Sequence, residues 1–219
     1  MDENIKKLFE VRENHLPSSI PLFPLDNVLL LPFGKLPLNI FEERYIKMTL
    51  DSLSSHRMIG VIQPKNNNNE FFMMGCIGKI TSYIETPDYR IVLNLEGVCR
   101  FVLEERYLTT NNYYNAKINC SNYLEDLNSL EPQIDRSSLI TKYENFFKMK
   151  KLEIDKNVLS ETSNLQLLST LAMIAPFNKI DKQTILESPN LLSRVETINS
   201  ILDLNTFQVV NNNSNNQLN

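Results

Sequence analysis

The chain has 219 residues, 42% of them hydrophobic, and a formal net charge of −4, which suits one large or two small globular domains with a real core. That acidic balance, with basic residues scattered along the chain, argues against a nucleic-acid partner, whose binders carry a basic stripe. The longest apolar run, Val28 to Phe33, contains Pro32 and is far too short to span a bilayer, and the first residues lack the apolar segment of a signal peptide, so a cytoplasmic protein without a membrane partner is expected.

Residues 1–19 read as an N-terminal extension. From residue 20 to 40, Pro21, Pro24, Pro32 and Pro37 forbid a helix, and Val28–Leu31 reads as a short strand in extended chain. Helical spacing begins at Glu42 and runs to Leu53, with Tyr45, Met48 and Thr49 on one face. Met58–Gln63 reads as a buried strand and Asn66–Asn69 as a loop. Three strands follow. Cys76, Ile80 and Ile84 point inward in the first, Ile91, Leu93 and Leu95 in the second, and Cys99, Phe101 and Leu103 in the third, with Arg100 and Glu104 outward. Glu96-Gly97 reads as a tight hairpin between the last two. Tyr114, Ala116, Ile118 and Cys120 share one face of a fourth strand. Short antiparallel strands that close on themselves imply a small barrel or sandwich.

Near residue 125 the period changes from two to 3.6. Leu139, Ile140, Tyr143, Phe146 and Phe147 form one amphipathic stripe. Ser163 with Gln166 has the spacing of a capping box, and Pro176 stops that helix. Asp181 is expected to cap a short helix through Leu186. Ser188, with Pro189 at the first helical position, is expected to cap a last one whose stripe is Leu191, Leu192, Val195, Ile198 and Leu202. The fold class is therefore α+β, a β-rich lobe over residues 20–124 followed by a helical bundle over 125–205. Residues 206–219, rich in Asn, read as a disordered tail.

No constellation for catalysis emerges. The cysteines Cys76, Cys99 and Cys120 are odd in number and widely spaced, as free thiols are, and only His15 and His56 could join them as soft metal ligands, so no metal or other cofactor is expected. Gly34-Lys35 and Gly78-Lys79 lack the upstream glycine of a phosphate-binding loop, and no GxSxG elbow is present. Exposed apolar side chains are more informative. Phe71, Phe72, Met73 and Met74 cannot all face one side of a strand, so some of them reach the surface. Phe33 beside Gly34, with Phe71, Phe72 and Met74, are the candidates for a sticky apolar patch, where flexible Met side chains adapt well.

The segment PLFPLDNVLLLPFGKLPLNIFEERY, residues 21–45, resembles the opening of the substrate-binding domain of Lon proteases, through Pro24-Leu25, Val28-Leu29, Pro32, Pro37-Leu38, Ile40-Phe41-Glu42, Arg44 and Tyr45. Gly75-Cys76-Ile77-Gly78, the stretch from Arg90 through Gly97 to Arg100-Phe101, and Asp181-Lys182-Gln183 with Arg194 extend the resemblance to about residue 203, with Asp181 where the family usually has Glu. The resemblance implies a PUA-like pseudo-barrel followed by helices, and a non-catalytic module like the free-standing bacterial members without ATPase or protease domains. It implies a protein or peptide ligand held in flexible form, with Phe33, Phe71, Phe72 and Met74 as its contacts, an architectural role for Pro24, Pro32 and Pro37, which fix an extended path, and core places for Phe41 and Tyr45. An adaptor docking on one folded partner and an RNA-associated PUA-like protein are the alternative expectations.

Overall fold

Runs of β-branched and aromatic residues cut by Pro, Gly and Asn give six strands in the computed structural model, which describes residues 10–65, 70–128, 130–152 and 162–215, with side chains as far as Thr206. They are β1 (Ser19–Pro24), β2 (Lys35–Ile40), β3 (Met58–Pro64), β4 (Phe71–Glu85), β5 (Ile91–Leu108) and β6 (Tyr114–Asn119). Five α-helices are described, α1 (Glu43–Leu53), α2 (Arg136–Met149), α3 (Asn164–Ile174), α4 (Lys179–Glu187) and α5 (Leu191–Asn215). The fold is α+β. It separates into two units, Met1–Asp26 with Leu30–Ser129, and Asn27–Leu29 with Leu130–Asn219. The expected Asn66–Asn69 loop and the last four residues lie outside the described residues.

Strand order in the first unit is β2-β5-β4-β3-β1-β6, and β5 also pairs with β6. That last pairing closes a barrel. The second half of β5 joins β6, from Val102 opposite Asn119 to Leu108 opposite Tyr114. The first half of β5 instead joins β2, from Ile91 opposite Ile40 to Glu96 opposite Lys35. The end of β4, the start of β5 and β2 therefore form a three-stranded extension that continues out of the barrel wall. Inside the barrel Ile20, Leu22, Ile62, Ile77, Phe101 and Ala116 are buried together. Gly75 makes room for the Phe101 ring, since a Cβ there would lie 2.4 Å from Phe101 Cζ and 2.6 Å from the Val61 carbonyl.

Several expectations are corrected here. Val28–Leu31 is not a strand; the residues that pair are Ser19–Pro24 and Lys35–Ile40 on either side. Glu96-Gly97 is not a hairpin, because β5 runs straight through it for 18 residues. Gly97 is needed for a close approach, as a Cβ there would sit 1.9 Å from the Leu31 carbonyl oxygen. The hairpin lies earlier, where Thr86 N donates to the Arg90 carbonyl (2.9 Å) and Tyr89 adopts φ 61. Arg100 is not outward but fully buried. The 3-10 helix Ser121–Leu127 covers it, and Asp126 accepts from Arg100 Nε at 2.7 Å and from Nη2 at 3.0 Å. Breaking such a buried pair from one side leaves an uncompensated charge.

In the second unit α2 buries Leu139, Tyr143, Phe146 and Phe147, and the Phe146 and Phe177 rings stack with centroids 5.2 Å apart. Ser163 caps α3, its hydroxyl accepting from Gln166 N at 3.2 Å. The cap of α4 is Asn178 rather than Asp181, which occupies the third helical position and donates its N–H to Asn178 Oδ1 at 2.9 Å. Similarly Asn190, not Ser188, accepts from Ser193 N at the start of α5 (2.9 Å). Leu192 is exposed while Ile198 and Leu202 are buried. Helix α5 continues to Asn215, beyond the expected start of a disordered tail at residue 206; elongating a formed helix adds one bond per residue fixed, so even modest helix formers can extend it.

Candidate functional site

Side chains on paired residues of a sheet share a face. In the extension, Ile84 lies opposite Val92, and Val92 opposite Asn39. The next pairing up places Ser82, Asn94 and Pro37 in one row on the same face. Within this unit, among the described residues, this outer face is uncovered. Ile84 is 67% exposed and Val92 41%. Phe41, directly after β2, is 64% exposed, and the Arg90 guanidinium stands 5.9 Å from its ring centroid. Tyr89, at the hairpin tip, is 89% exposed. The opposite face carries Ile91, Leu93 and Leu95, all buried. One strand pair thus presents apolar residues on both sides, one side inward and one to water.

The rim of this patch is charged and self-paired. Arg90 Nε meets Asp88 Oδ2 at 2.8 Å and Arg44 Nη2 meets Glu42 Oε2 at 2.7 Å. The hydrogen bond from the Thr86 hydroxyl, with a smaller contribution from the Arg90 charge, holds the Asp88 carboxyl below the usual range. Exposed pairs of this kind contribute little energy, but they fix the rim around an apolar centre.

A cleft of about 1210 Å³ opens elsewhere on the same unit. Phe33, Ile80, Val98 and Leu124 supply its apolar lining, and Arg57 and Glu96 add charges of both signs. The volume exceeds that of most small-molecule pockets and suits a stretch of chain better. Among the described residues no group of three or more His, Cys, Asp or Glu is placed to hold a metal ion. The Cys99 thiol is fully buried, and its hydrogen bond with Cys120, then burial, push its pKa up, away from thiolate character.

The four candidate contacts from the sequence fall in different places. Phe33 is half-buried in the cleft, with φ 65 and its N–H donated to the Gly97 carbonyl at 2.8 Å. Phe71 and Met74 are buried, contrary to the exposure expected of them. Phe71 belongs to the barrel core and stacks edge-on against Tyr114, with centroids 5.5 Å apart. Phe72 is half-buried with the Lys65 ammonium 5.9 Å from its ring centroid, and Met73 is the exposed member of the run at 53%. Phe33 meets β4 near Ile80, whereas Phe71 begins that strand, roughly 30 Å away at about 3.3 Å per residue, so the four do not form one surface. The residues that do form one are not those that the sequence pattern singles out. Phe41 was expected in the core and Ile84 on an inward face, yet both are exposed. The signal that could have found them is Thr86-Pro87-Asp88-Tyr89-Arg90, a turn sequence that ends β4 and makes Ile84 and Val92 partners.

Comparison with known proteins supplies a family for this fold. The sequence matches the family described as "ATP-dependent protease La (LON) substrate-binding domain" over residues 19–203. Lon protease of Buchnera aphidicola subsp. Baizongia pistaciae is 25% identical over 196 residues, covering 84% of this chain and 24% of its own. Lon protease of Dictyoglomus thermophilum is 25% identical over 210 residues, covering 90% of this chain and 26% of its own. The chain thus spans about a quarter of the length of the curated relatives it matches. The crystal structure of a Lon N-terminal domain protein from Xanthomonas campestris superposes with a TM-score of 0.60 at 21% identity, covering 84% of this chain and 98% of that one.

Proposed function

Because the chain belongs to the LON substrate-binding domain family, we propose that it binds flexible or unfolded polypeptide segments in the cytoplasm, with no chemistry of its own, in the service of protein quality control. The observation that carries this reading is the uncovered outer face of the extension, where Phe41, Ile84 and Val92 stand exposed together. Apolar side chains clustered at the surface of a well-packed barrel cost the fold nothing when a ligand covers them. Covering one such side chain fully contributes about 1.5–3 kcal/mol, and two or three together give micromolar affinity once association entropy is subtracted. Half-buried Phe33 and Phe72 are secondary contacts in this reading, while buried Phe71 and Met74 support the strand beneath.

The test is the affinity for reduced, carboxymethylated α-lactalbumin, a permanently unfolded chain. Phe41→Ser with Ile84→Ser is expected to weaken binding about tenfold or more, with little dependence on salt because apolar contacts are not screened. Unchanged affinity in the folded double variant would place the site elsewhere, with Phe33→Ser and Phe72→Ser as the next variants. A steep loss of wild-type binding with salt would favour a charged interface.

A further inference from the structure

The extension has two outer edges, and they differ. β2 is one. The Gly97 N–H donates to the Gly34 carbonyl at 2.9 Å, which makes Gly34 and Gly97 a hydrogen-bonded pair at the start of the β2–β5 ladder. In an antiparallel ladder such pairs recur every second residue. Leu36, Leu38 and Ile40 therefore turn their backbone groups toward β5, and Lys35, Pro37 and Asn39 turn theirs outward. Pro37 has no N–H, so the middle of this edge cannot donate. Proline on an edge strand is a known defence against strand addition.

The second half of β4 is the other edge, and no proline interrupts it. β3 pairs with β4 only as far as Met58 opposite Lys79, and Ile80 N donates to the Arg57 carbonyl at 2.8 Å. Beyond that point, among the described residues, no strand lies on the far side of β4. Thr86 and Arg90 form a hydrogen-bonded pair at the hairpin. Counting back by twos, Ile84 and Ser82 bond to Val92 and Asn94, so Tyr83 and Glu85 turn their N–H and C=O groups away from β5. Both residues are exposed. This edge is extended, and among the described residues no strand and no proline occupies its donors.

We propose, building on the polypeptide-binding reading above, that a client segment is captured here by strand addition, as an extended chain hydrogen-bonded to Tyr83 and Glu85. The edge defines the occupant. It must be extended and must offer N–H and C=O groups at alternate positions, which excludes proline at the residues facing β4. Its side chains then alternate between two faces. Those on the outer face lie beside Ile84 and extend the apolar row of Ile84 and Val92, so they are apolar. Those on the other face lie beside Tyr83 and Glu85, which suits aromatic or basic residues. The substrate class is a proline-free stretch of alternating pattern, such as an unfolded chain exposes when a strand of its own is unpaired. Backbone bonding supplies affinity for any such sequence and the Ile84 row supplies preference, which is the division of labour in peptide recognition by strand addition.

Substitution at Tyr83 separates backbone from side chain. Tyr83→Pro removes the outward N–H without removing a bond to β5, whereas Tyr83→Ala keeps the N–H and loses the ring. With carboxymethylated α-lactalbumin and a short peptide of alternating Val and Thr as probes, Tyr83→Pro is expected to weaken binding at least tenfold and Tyr83→Ala less than threefold. Amide hydrogen exchange at Tyr83 and Glu85 in the wild type is expected to slow when probe is added, which gives the answer even if the proline variant does not fold. Equal losses in the two variants, or wild-type binding without protection at these amides, would overturn strand addition while leaving polypeptide binding in place. Protection that rises with protein concentration in the absence of probe would assign the edge to a second copy of this chain and overturn the client. Failure of the wild type to bind either probe would sink both readings.

Discussion

The two halves of β4 share one strand and live in different surroundings. From Met74 to Gly78 every residue is buried, and from Thr81 to Glu85 every residue is exposed. The first half is flanked by β3 and β5 and is part of the barrel wall; among the described residues the second has β5 on one side only. Residue type alone does not decide burial, since Ile77 is fully buried and Ile84 is exposed. What separates them is where the neighbouring strand ends. Burial in a sheet is a property of its partners, and a strand that outruns a partner carries its apolar residues into solvent.

The comparison can be broken most severely in the barrel half. Phe101 is fully buried, crosses from Gly75 and fills the space that glycine leaves. Phe101→Ala is expected to destabilise the first unit by about 3–5 kcal/mol, because the cavity cannot collapse around a rigid barrel. Chemical denaturation followed by tyrosine fluorescence measures it; a midpoint near that of the wild type would mean that Phe101 is not a core residue.

In the extension half, Ile84→Ser is expected to change stability by less than about 0.5 kcal/mol, the usual range for an exposed site. Paired denaturation curves of Ile84→Ser and Phe101→Ala sharpen the contrast. A large loss at Ile84 would show that the outer face is covered by packing within the protein itself.

The smallest effect concerns His56, just before β3. Burial pushes its pKa below the ordinary 6.5, and its Nδ1 accepts from Met58 N at 3.1 Å, which needs the neutral ring. A depressed folded value means that the unfolded chain binds the proton more readily. The contribution is present above about pH 6.5 and is lost as pH falls through the lower folded value. His56→Asn keeps an acceptor and should flatten that part of the profile of melting temperature against pH. An unchanged slope would assign the pH dependence to other groups.

Much of this architecture was legible in the residues. Period-two burial of Ile91, Leu93 and Leu95, and helical spacing of Tyr45, Met48 and Thr49, both follow from local pattern, and the structure buries all six. The misreadings have a common cause in long-range contact. Gly97 looks like a turn because glycine often is one, but its requirement comes from the Leu31 carbonyl, more than sixty positions away in sequence. Arg100 looks like an outward residue because alternation ignores what comes later, and its partner Asp126 arrives 26 residues on. The candidate site suffered likewise. Four large apolar residues in a row drew notice at Phe71–Met74, whereas the surface patch is assembled from Phe41, Ile84 and Val92, which only the hairpin and the β2–β5 register bring together.

Barrel closure has a consequence for how the chain folds as it leaves the ribosome. Ser19 at the start of β1 pairs with Lys117 in β6, and the same stretch of β6 pairs with the end of β5. Until β6 has been synthesised, β1 has only its parallel contact with β3, and β5 and β4 form an open meander. Non-local pairings of this kind form late and slowly, so the nascent chain passes through a stage in which the apolar barrel interior is accessible. Emergence of β6 from the ribosome is the step that seals it, and a chain stalled before that point would display a sticky, half-built sheet.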